Sequence, residues 1–258
     1  MQLAEERRQA IVDMVEREGR LLAAELAVNL STSEDTIRRD LRDLDAAGLL
    51  RRVHGGAVRV RRAASFAQRV DTDQPRKMQL ALALRECIAP GDTVLIDAGS
   101  THLALARTLV DGHAATIITN SPQIALAMEN FERTRIVLLG GTYDQKIGAT
   151  VGAATLSEVT RLRPDLALVG VCGIHRERGL GGANAEEAAL KRAMLGVSAR
   201  RAVAVLNERF DDGAPFLFGG LDEIDHLVLE SDLSAMTVDF LRARYPALNL
   251  RFTMKVTA

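Results

Sequence analysis

The chain has 258 residues, of which 47% are apolar and 26% charged, and its formal net charge is −1. This length suits one small and one medium domain, and the composition is that of an ordinary globular protein. A near-neutral sum excludes a protein that is strongly basic throughout, so any contact with nucleic acid must come from local charge placement. The two cysteines, Cys87 and Cys172, offer neither a disulfide framework nor metal-ligand spacing.

The N-terminal residues alternate charged and apolar types and lack the continuous apolar stretch of a signal peptide. No segment approaches the roughly 20 apolar residues that cross a bilayer. The sequence therefore predicts a cytoplasmic protein with no membrane partner. The five histidines show no metal spacing, and we expect neither a metal nor a cofactor.

The first sixty residues predict three helices followed by a basic hairpin. Ser33 precedes the third helix, and its hydroxyl suits an N-cap. Two β-prone runs, 49–53 and 57–60, are joined by a His-Gly-Gly turn and predict the hairpin. Between residues 49 and 62 there are arginines but no acidic residue. The helical apolar patterns cover three segments: 4–18, 22–30 and 34–47.

The third helix divides into an apolar side and a basic side. Burial of Ile37, Leu41 and Leu44 leaves arginines facing outward, as a recognition helix in the major groove requires. Guanidinium groups pair with guanine edges or with phosphates. The plainer alternative is a solvated charged face, since Asp35, Asp40 and Asp43 would repel phosphates if they faced them. We predict DNA contacts from eight residues: Ser33, Thr36, Arg38, Arg39, Arg42, Arg51, Arg52 and His54.

The segment from Ser33 to Val58 reads SEDTIRRDLRDLDAAGLLRRVHGGAV. It resembles the N-terminal signature of the DeoR-type family of bacterial sugar-metabolism repressors. One departure is Ser31-Thr32, where a Gly-Val pair is usual; a glycine there would relax a strained backbone angle. The resemblance implies a winged helix-turn-helix domain over residues 1–60 and a repressor of carbohydrate-metabolism genes.

After residue 76 the pattern changes to alternating strands and helices. Continuous apolar runs indicate strands covered on both faces, and the alternation predicts an α/β fold with a mostly parallel, doubly wound sheet. We assign residues 61–76 to a linker and residues 77–258 to an effector-sensing domain. The predicted strands are 93–98, 115–119, 135–139, 166–171, 201–206 and 226–230. The predicted helices are 77–88, 101–110, 122–130, 153–161, 185–200 and 234–244.

Small polar residues follow several of these strands. In a doubly wound sheet such turns meet at the carboxyl edge, where ligands bind, and backbone N–H groups and hydroxyls there suit an anion. Each polar side chain also has a plainer alternative, which is to cap a helix. We predict effector contacts from these turns: Asp97, Gly99, Ser100, Thr101, Asn120, Ser121, Gly140 and Gly141.

Residues 66–232 resemble the effector domain of the same family, which is similar in fold to ribose-5-phosphate isomerases and CoA transferases. The resemblance implies a phosphorylated sugar or a related metabolite as effector. It adds Glu187 and Lys191 as candidate site residues, although their i,i+4 spacing also allows a surface ion pair. Cys172 stands where family members often carry Asp, and Arg209, a further effector candidate, stands where Lys is usual. Matching stretches are 97–101, 119–121, 139–141 and 184–194.

The leading hypothesis is a ligand-controlled DNA-binding regulator that works as a dimer or larger homo-oligomer on a palindromic or repeated operator. One alternative is a sugar-phosphate isomerase or a CoA-transferase-like enzyme with an appended helical domain. Only the fold supports that alternative, and cysteine and arginine at positions 172 and 209 argue against isomerase chemistry. A third possibility is a DNA-binding scaffold with a vestigial pocket.

Overall fold

A computed structural model of the chain describes residues 4–18, 20–47, 49–53, 55–59, 64–211 and 214–254. Within these ranges it leaves out the side chains of Glu16, Arg20, Arg51, Val58 and Arg59. The chain divides into two compact units, residues 1–63 and residues 64–258. None of the described helices combines the length and hydropathy that a bilayer span needs.

The first unit packs three helices and a three-stranded sheet around one small apolar core. The strands are antiparallel and lie in the order β1-β3-β2. Ile11, Leu26 and Ile37 are fully buried and join the three helices, while Leu50 brings the hairpin onto the same core. This is a winged helix-turn-helix arrangement, as the sequence predicts. The elements are α1 Ala4–Glu18, β1 Arg20–Leu22, α2 Ala23–Asn29, α3 Glu34–Ala46, β2 Leu50–Val53 and β3 Gly56–Arg59.

The sequence does not predict strand β1, because three residues between two helices are too few to show a strand pattern. Leu22 of β1 pairs with Gly56 of β3. A Cβ atom at Gly56 would lie 2.1 Å from the carbonyl oxygen of Leu21, so the close approach of β1 requires glycine there. Gly55 forms the hairpin turn with a φ of +83°, which glycine adopts readily.

The second unit is an α/β domain with one large sheet, one small sheet and a hairpin. Short 3-10 turns also occur at Asn207–Arg209 and Leu221–Glu223. The elements in chain order are α4 Phe66–Asp71, α5 Gln74–Arg85, β4 Thr93–Ile96, α6 Ser100–Ala106, β5 Thr116–Thr119, α7 Pro122–Leu126, β6 Arg135–Leu138, β7 Thr142–Asp144, β8 Ala149–Val151, α8 Ala153–Thr160, β9 Leu166–Leu168, β10 Gly173–His175, β11 Gly179–Gly182, α9 Ala185–Val197, β12 Arg200–Ala204, β13 Phe216–Gly219, β14 His226–Leu229, α10 Ala235–Arg244 and β15 Asn249–Phe252.

The large sheet is parallel, and its seven strands lie in the order β15-β14-β12-β9-β4-β5-β6. Helices α5, α6 and α7 pack on one face, and α8, α9 and α10 pack on the other. Successive strands after β4 extend the sheet one way, and those from β9 onward extend it the other way. The strand order therefore reverses between β4 and β9, and a doubly wound sheet binds ligands at the carboxyl ends of such a pair.

Several elements differ from the sequence-based expectations. Helix α4 lies inside the stretch 61–76 that we assigned to a linker, and Phe66, 5% exposed, anchors it in the core of the second unit. Helix α5 starts at residue 74 instead of 77. One aromatic residue in a six-residue helix leaves no periodic signal, which is why the sequence does not show α4. Strand β15, the sheet β10-β11-β13 and the hairpin β7-β8 are also unpredicted, since their strands are short and β11 is mostly glycine.

The turn between α2 and α3 offers a test of backbone strain. Ser31 is exposed and has a φ of +48°, a left-handed conformation that costs a residue with a Cβ atom roughly 1–2 kcal/mol. Ser31→Gly removes that strain but adds conformational entropy to the unfolded chain, so we expect a net gain of about 0.5 kcal/mol in the free energy of unfolding. Urea unfolding followed by circular dichroism measures it. Ser31→Ala keeps the strain and serves as the control; equal stability of the glycine and alanine variants would contradict the explanation.

Candidate functional site

The start of helix α3 is held by two hydroxyl groups. The Ser33 hydroxyl oxygen accepts a hydrogen bond from the backbone N–H of Thr36 at 3.2 Å and lies 2.9 Å from the Thr36 hydroxyl oxygen. The predicted N-cap is therefore present, and it satisfies one of the free N–H groups at the helix start. A role for either hydroxyl in DNA contact stays a prediction.

Helix α3 turns a fixed apolar side inward and a basic side outward. Ile37, Leu41 and Leu44 are 0%, 2% and 4% exposed, as the sequence predicts. Arg38, Arg39 and Arg42 are exposed. The Arg38 guanidinium donates to the carboxylate of Glu34 at 2.9 Å, whereas Arg39 and Arg42 form no ion pair with any other residue that the structure describes. The inward side thus holds the helix while two guanidinium groups remain available to a ligand.

Two of the three acidic residues that would repel phosphate, Asp40 and Asp43, pair with helix α1. Asp40 is 3% exposed and accepts hydrogen bonds from Arg7 at 2.6 Å and from Arg8 at 3.1 Å. Arg8 also reaches Asp43 at 2.5 Å. The hydrogen bond from Asp40 raises the pKa of Arg7, as expected for a cation beside a buried carboxylate. The carboxylates of Asp40 and Asp43 are therefore paired with basic side chains of α1, whereas Asp35, in the first turn of α3, is exposed.

The wing contributes one described basic side chain, that of Arg52, which is exposed on strand β2. Its backbone N–H donates to the carboxylate of Asp45 at 3.2 Å and so ties the strand to the end of α3. The side chain of Arg51 and the whole of His54 lie outside the described residues. Their predicted DNA contacts stay predictions.

In the second unit, three predicted effector residues form one buried ion network. The Lys191 amine lies 2.8 Å from the carboxylate of Asp97 and 3.0 Å from that of Glu187, and it donates to the carbonyl of Gly170 at 2.6 Å. The exposed fractions of the Lys191, Asp97 and Glu187 side chains are 3%, 4% and 11%. The i,i+4 ion pair between Glu187 and Lys191 is therefore present, but it is buried with Asp97 and does not lie at the surface.

The network sits where the strand order of the sheet reverses. Asp97 follows β4, Gly170 follows β9, and the backbone N–H of Gly170 donates to the Asp97 carboxylate at 3.0 Å. Lys191 reaches this point from helix α9. A Cβ atom at Gly170 would lie 3.2 Å from the Asp97 carboxylate and 3.3 Å from the Lys191 amine, and both distances are shorter than those of most Cβ contacts in proteins. The carboxyl ends of the two strands therefore pack tightly against the lysine.

Burial and charge oppose each other in this network. Burial alone would lower the pKa of Lys191, but the charges of Asp97 and Glu187 reverse this effect and raise it. Burial alone would raise the pKa of Glu187, but the charge and hydrogen bond of Lys191 lower it overall. Lys191 and Glu187 are therefore both ionised near neutral pH, and the network as a whole places two carboxylates beside one ammonium group.

Asn120 and Ser121 continue the edge beyond β5. The Asn120 side chain accepts from the backbone N–H of Ala98 at 2.9 Å and donates to the carbonyl of Thr150 at 3.3 Å. The Ser121 hydroxyl donates to the carbonyl of Gly148 at 3.1 Å. Neither side chain caps a helix, so the capping alternative does not account for them. They tie the end of β5 to the segment after β4 and to the hairpin β7-β8.

The remaining predicted turns do not touch the ion network through any described hydrogen bond. The backbone N–H of Gly140 donates to Glu158 at 3.1 Å, and its carbonyl accepts from Thr155 at 2.6 Å. At Gly141, which has a φ of +135°, a Cβ atom would lie 2.0 Å from the Thr155 hydroxyl. Packing of helix α8 is thus one reason for the glycine pair. Gly99, Ser100 and Thr101 are half-buried at the start of α6.

The sequence does not single out Arg69, which lies on α4 and packs beside this edge. Its guanidinium donates to the carbonyl oxygens of Ala64 at 2.6 Å and Ile147 at 3.1 Å. A lone arginine in an apparently irregular stretch gives no signal that could have found it. The predicted residue Arg209 donates to the carbonyl of Cys172 at 3.3 Å, across the edge.

Neither a cavity nor a metal centre points to a different site chemistry. A groove of about 720 Å³ opens beside α9 and β13, but none of the predicted effector residues lines it. Among the described residues there is no group of three or more side chains suited to hold a metal ion. The candidate site therefore rests on the ion network and on the residues around the end of the sheet.

The lowered pKa of Glu187 predicts how pH acts on the second unit. A carboxyl group whose folded pKa is below its ordinary value of 4.5 stabilises the fold above that value, and the contribution is lost as pH falls further. We expect Glu187→Gln to flatten the loss of unfolding free energy between about pH 5 and about pH 3. Urea unfolding at a series of pH values measures it. The exposed Glu129→Gln is the control, and a pH slope unchanged from wild type in Glu187→Gln would contradict the prediction.

Comparison with known proteins identifies both units. A model of the DeoR-like helix-turn-helix domain matches residues 7–63, and a model of the DeoR C-terminal sensor domain matches residues 72–231. The HTH-type transcriptional regulator GlpR of Haloferax volcanii is 32% identical over 237 residues, covering 90% of this chain and 92% of the relative. The glycerol-3-phosphate regulon repressor of Escherichia coli is 28% identical over 247 residues, covering 95% and 98%. The L-fucose operon activator of Escherichia coli is 30% identical over 227 residues, covering 86% and 93%.

Solved structures are more distant. Ribose 5-phosphate isomerase A of Neisseria gonorrhoeae aligns with a TM-score of 0.38 at 11% identity and covers 54% of each chain. The sorbitol operon regulator SorC of Klebsiella pneumoniae aligns with a TM-score of 0.33 at 12% identity, covering 78% of this chain and 90% of its own. Similarity at this level says nothing about activity.

The family assignment rests on the two domain models, which span most of the chain, and on relatives that match nearly its whole length and are named as regulators. The winged helix with its outward arginines and the sensor domain with its buried ion network fit that assignment. The protein belongs to the DeoR family and is a DNA-binding transcriptional regulator, not an enzyme.

Proposed function

We propose that the protein represses carbohydrate-metabolism genes and leaves its operator when a phosphorylated sugar or a related metabolite binds the sensor domain. The observation that carries this proposal is the Asp97–Lys191–Glu187 network at the point where the strand order reverses. Carboxylates and a lysine held there with Asn120 nearby suit a ligand that is both hydroxylated and charged. Relatives named for the glycerol-3-phosphate regulon and for sugar operons support the same effector class.

The DNA-binding face in this proposal is the outward side of α3 together with the wing. Arg39 and Arg42 are exposed on a helix whose other side is anchored in the core. A helix anchored in this way presents its side chains to the major groove with little freedom, and an arginine there can donate two hydrogen bonds to one guanine. Because Arg38 forms an ion pair with Glu34, we assign it a phosphate contact.

We further propose a dimer or larger assembly, because a helix-turn-helix regulator matches a two-fold operator with two copies of itself. Ligand control then requires that the effector bind the DNA-free state more tightly than the DNA-bound state. Light scattering at several protein concentrations measures the assembly, and a monomer at all of them would contradict this part of the proposal.

The operator and the effector are tested together. Purified protein is titrated against labelled fragments from upstream of its own gene and against random DNA at one stated salt concentration. A panel of triose, pentose and hexose phosphates, with the unphosphorylated sugars as matched controls, is then added to the preformed complex. We expect one phosphorylated compound to release the preferred fragment. A protein with no preferred fragment would defeat the DNA half, and a preferred fragment that no phosphate releases would defeat the effector half.

Arg39 offers a sharper test of DNA reading. If Arg39 donates two hydrogen bonds to one base, Arg39→Ala weakens binding to the operator by roughly 1–3 kcal/mol and weakens binding to random DNA much less. Fluorescence anisotropy on both DNAs measures this difference. Arg17→Ala, which removes an exposed arginine of α1, is the matched control. Equal losses on operator and random DNA would mean that Arg39 touches only phosphate.

A further inference from the structure

Two arginines approach the candidate effector site from different segments of the sensor domain. Arg69 lies on α4 and donates to the carbonyl of Ile147, next to Gly148, whose own carbonyl binds the Ser121 hydroxyl at the end of β5. Arg209 follows β12 and donates to the carbonyl of Cys172, in the segment after β9. The ends of β9 and β5 lie on either side of β4 in the sheet. The two guanidinium groups therefore come to the edge from its two sides.

Within the described part of the chain, both arginines bond only to carbonyl oxygens. Arg69 donates to the carbonyls of Ala64, Lys146 and Ile147, and Arg209 donates to that of Cys172. Neither lies within ion-pair distance of a carboxylate in the ranges that the structure describes. A half-buried cation is usually paired with a carboxylate, and arginine is the residue that most often fills such a place because its fork fits an oxyanion. Both have N–H donors left over, and among the described residues no carboxylate receives them.

The nearby carboxylates are already used by Lys191. Burial lowers the pKa of Arg69, and the positive charge of Arg209 lowers it further, while Cys172, Glu187 and Asp97 act in the opposite direction. The two guanidinium groups and the ion network thus share one neighbourhood. Burial raises the pKa of the Cys172 thiol, which is therefore neutral. The carboxylates of the network are paired with Lys191, so among the described residues the two guanidinium groups have no ion-pair partner of their own.

A third basic side chain, Lys77, lies close to Arg69 and Arg209. Its side chain is 7% exposed, and its amine donates to the carbonyl oxygens of Arg69 and Thr72, the latter at 2.5 Å. Burial lowers the pKa of Lys77, and Arg69 and Arg209 lower it further, while Asp73 and Glu208 raise it. Holding Arg69, Arg209 and Lys77 close together is unfavourable at low dielectric, and a bound dianion would relieve their mutual repulsion.

We propose that Arg69 and Arg209 together bind the phosphoryl group of the effector. This inference rests on the proposed function and deepens it, because it assigns the anionic end of the ligand to two named side chains. Arginine forks fit phosphate oxygens by paired hydrogen bonds. The buried Lys191 is not the phosphate ligand, since its three hydrogen-bonding directions are taken by Asp97, Glu187 and the carbonyl of Gly170.

Inorganic phosphate is the probe for this site, because it does not require that the effector be identified. The full-length protein is unfolded by heat in phosphate and in sodium chloride at matched ionic strength and pH. We expect phosphate to raise the wild-type midpoint above that in chloride, as any ligand specific to the folded state does. We expect Arg209→Ala and Arg69→Ala each to weaken phosphate binding about tenfold or more. Arg107→Ala, which removes an exposed arginine directly after α6, is the matched control and keeps the wild-type response.

Folding and function are followed in the same variants. Arg69→Ala loses bonds to three carbonyls and is checked by circular dichroism; Arg69→Lys keeps the charge, and Arg209→Ala loses a single bond. Operator affinity without effector is expected to be unchanged in the folded variants, and release by the active sugar phosphate is expected to need about tenfold more ligand. If phosphate stabilises the wild type no more than chloride does, or stabilises folded Arg69→Lys and Arg209→Ala as much as the wild type, the inference is overturned. Operator release that is normal in these variants overturns it while leaving the proposed function intact.

Discussion

The sensor domain is organised around a lysine that cannot be buried alone. Lys191 is 3% exposed, and an isolated ammonium group at that depth would be strongly unfavourable. Asp97 after β4 and Glu187 one turn earlier on α9 supply the charge that makes its burial possible, and Gly170 after β9 supplies a carbonyl. The need to pair the buried ammonium group of Lys191 fixes α9 against the ends of two neighbouring strands, β4 and β9. It therefore sets the geometry of the crevice where the strand order reverses.

A similar arrangement operates in the winged helix. Asp40 lies on the apolar side of α3 and is held by Arg7 and Arg8 of α1. The pairing removes negative charge from the outward side of the helix and also orients α3 relative to α1. In both units a buried carboxylate meets a basic side chain from another helix, and in both the arrangement leaves arginines free of carboxylate partners within the described residues. One set suits the polyanion DNA, and the other suits a small anion.

The proposed phosphate site places ligand contact on a particular part of the chain. Arg69 is carried by α4, the first helix after the winged helix, and its backbone carbonyl accepts from Lys77 of α5. A ligand held by Arg69 and Arg209 would therefore join α4 to the segment after β12. Under the proposal, effector binding changes the stability of the helix that follows the DNA-binding unit in sequence. That gives the ligand a physical route to act on operator affinity.

The sequence by itself determined the longer helices, most strands of the large sheet, the inward stripe of α3, the Ser33 cap and the parallel α/β pattern, because these follow from local periodicity and capping chemistry. It also picked out Asp97 from the polar turn after a predicted strand, and Glu187 and Lys191 through the family resemblance. Only the tertiary structure decided that these three meet in one buried network, that Asp40 turns toward α1, and that Arg69 stands beside the site. Those facts depend on contacts between residues far apart in the chain, and neither periodicity nor composition records which distant side chains the fold brings together.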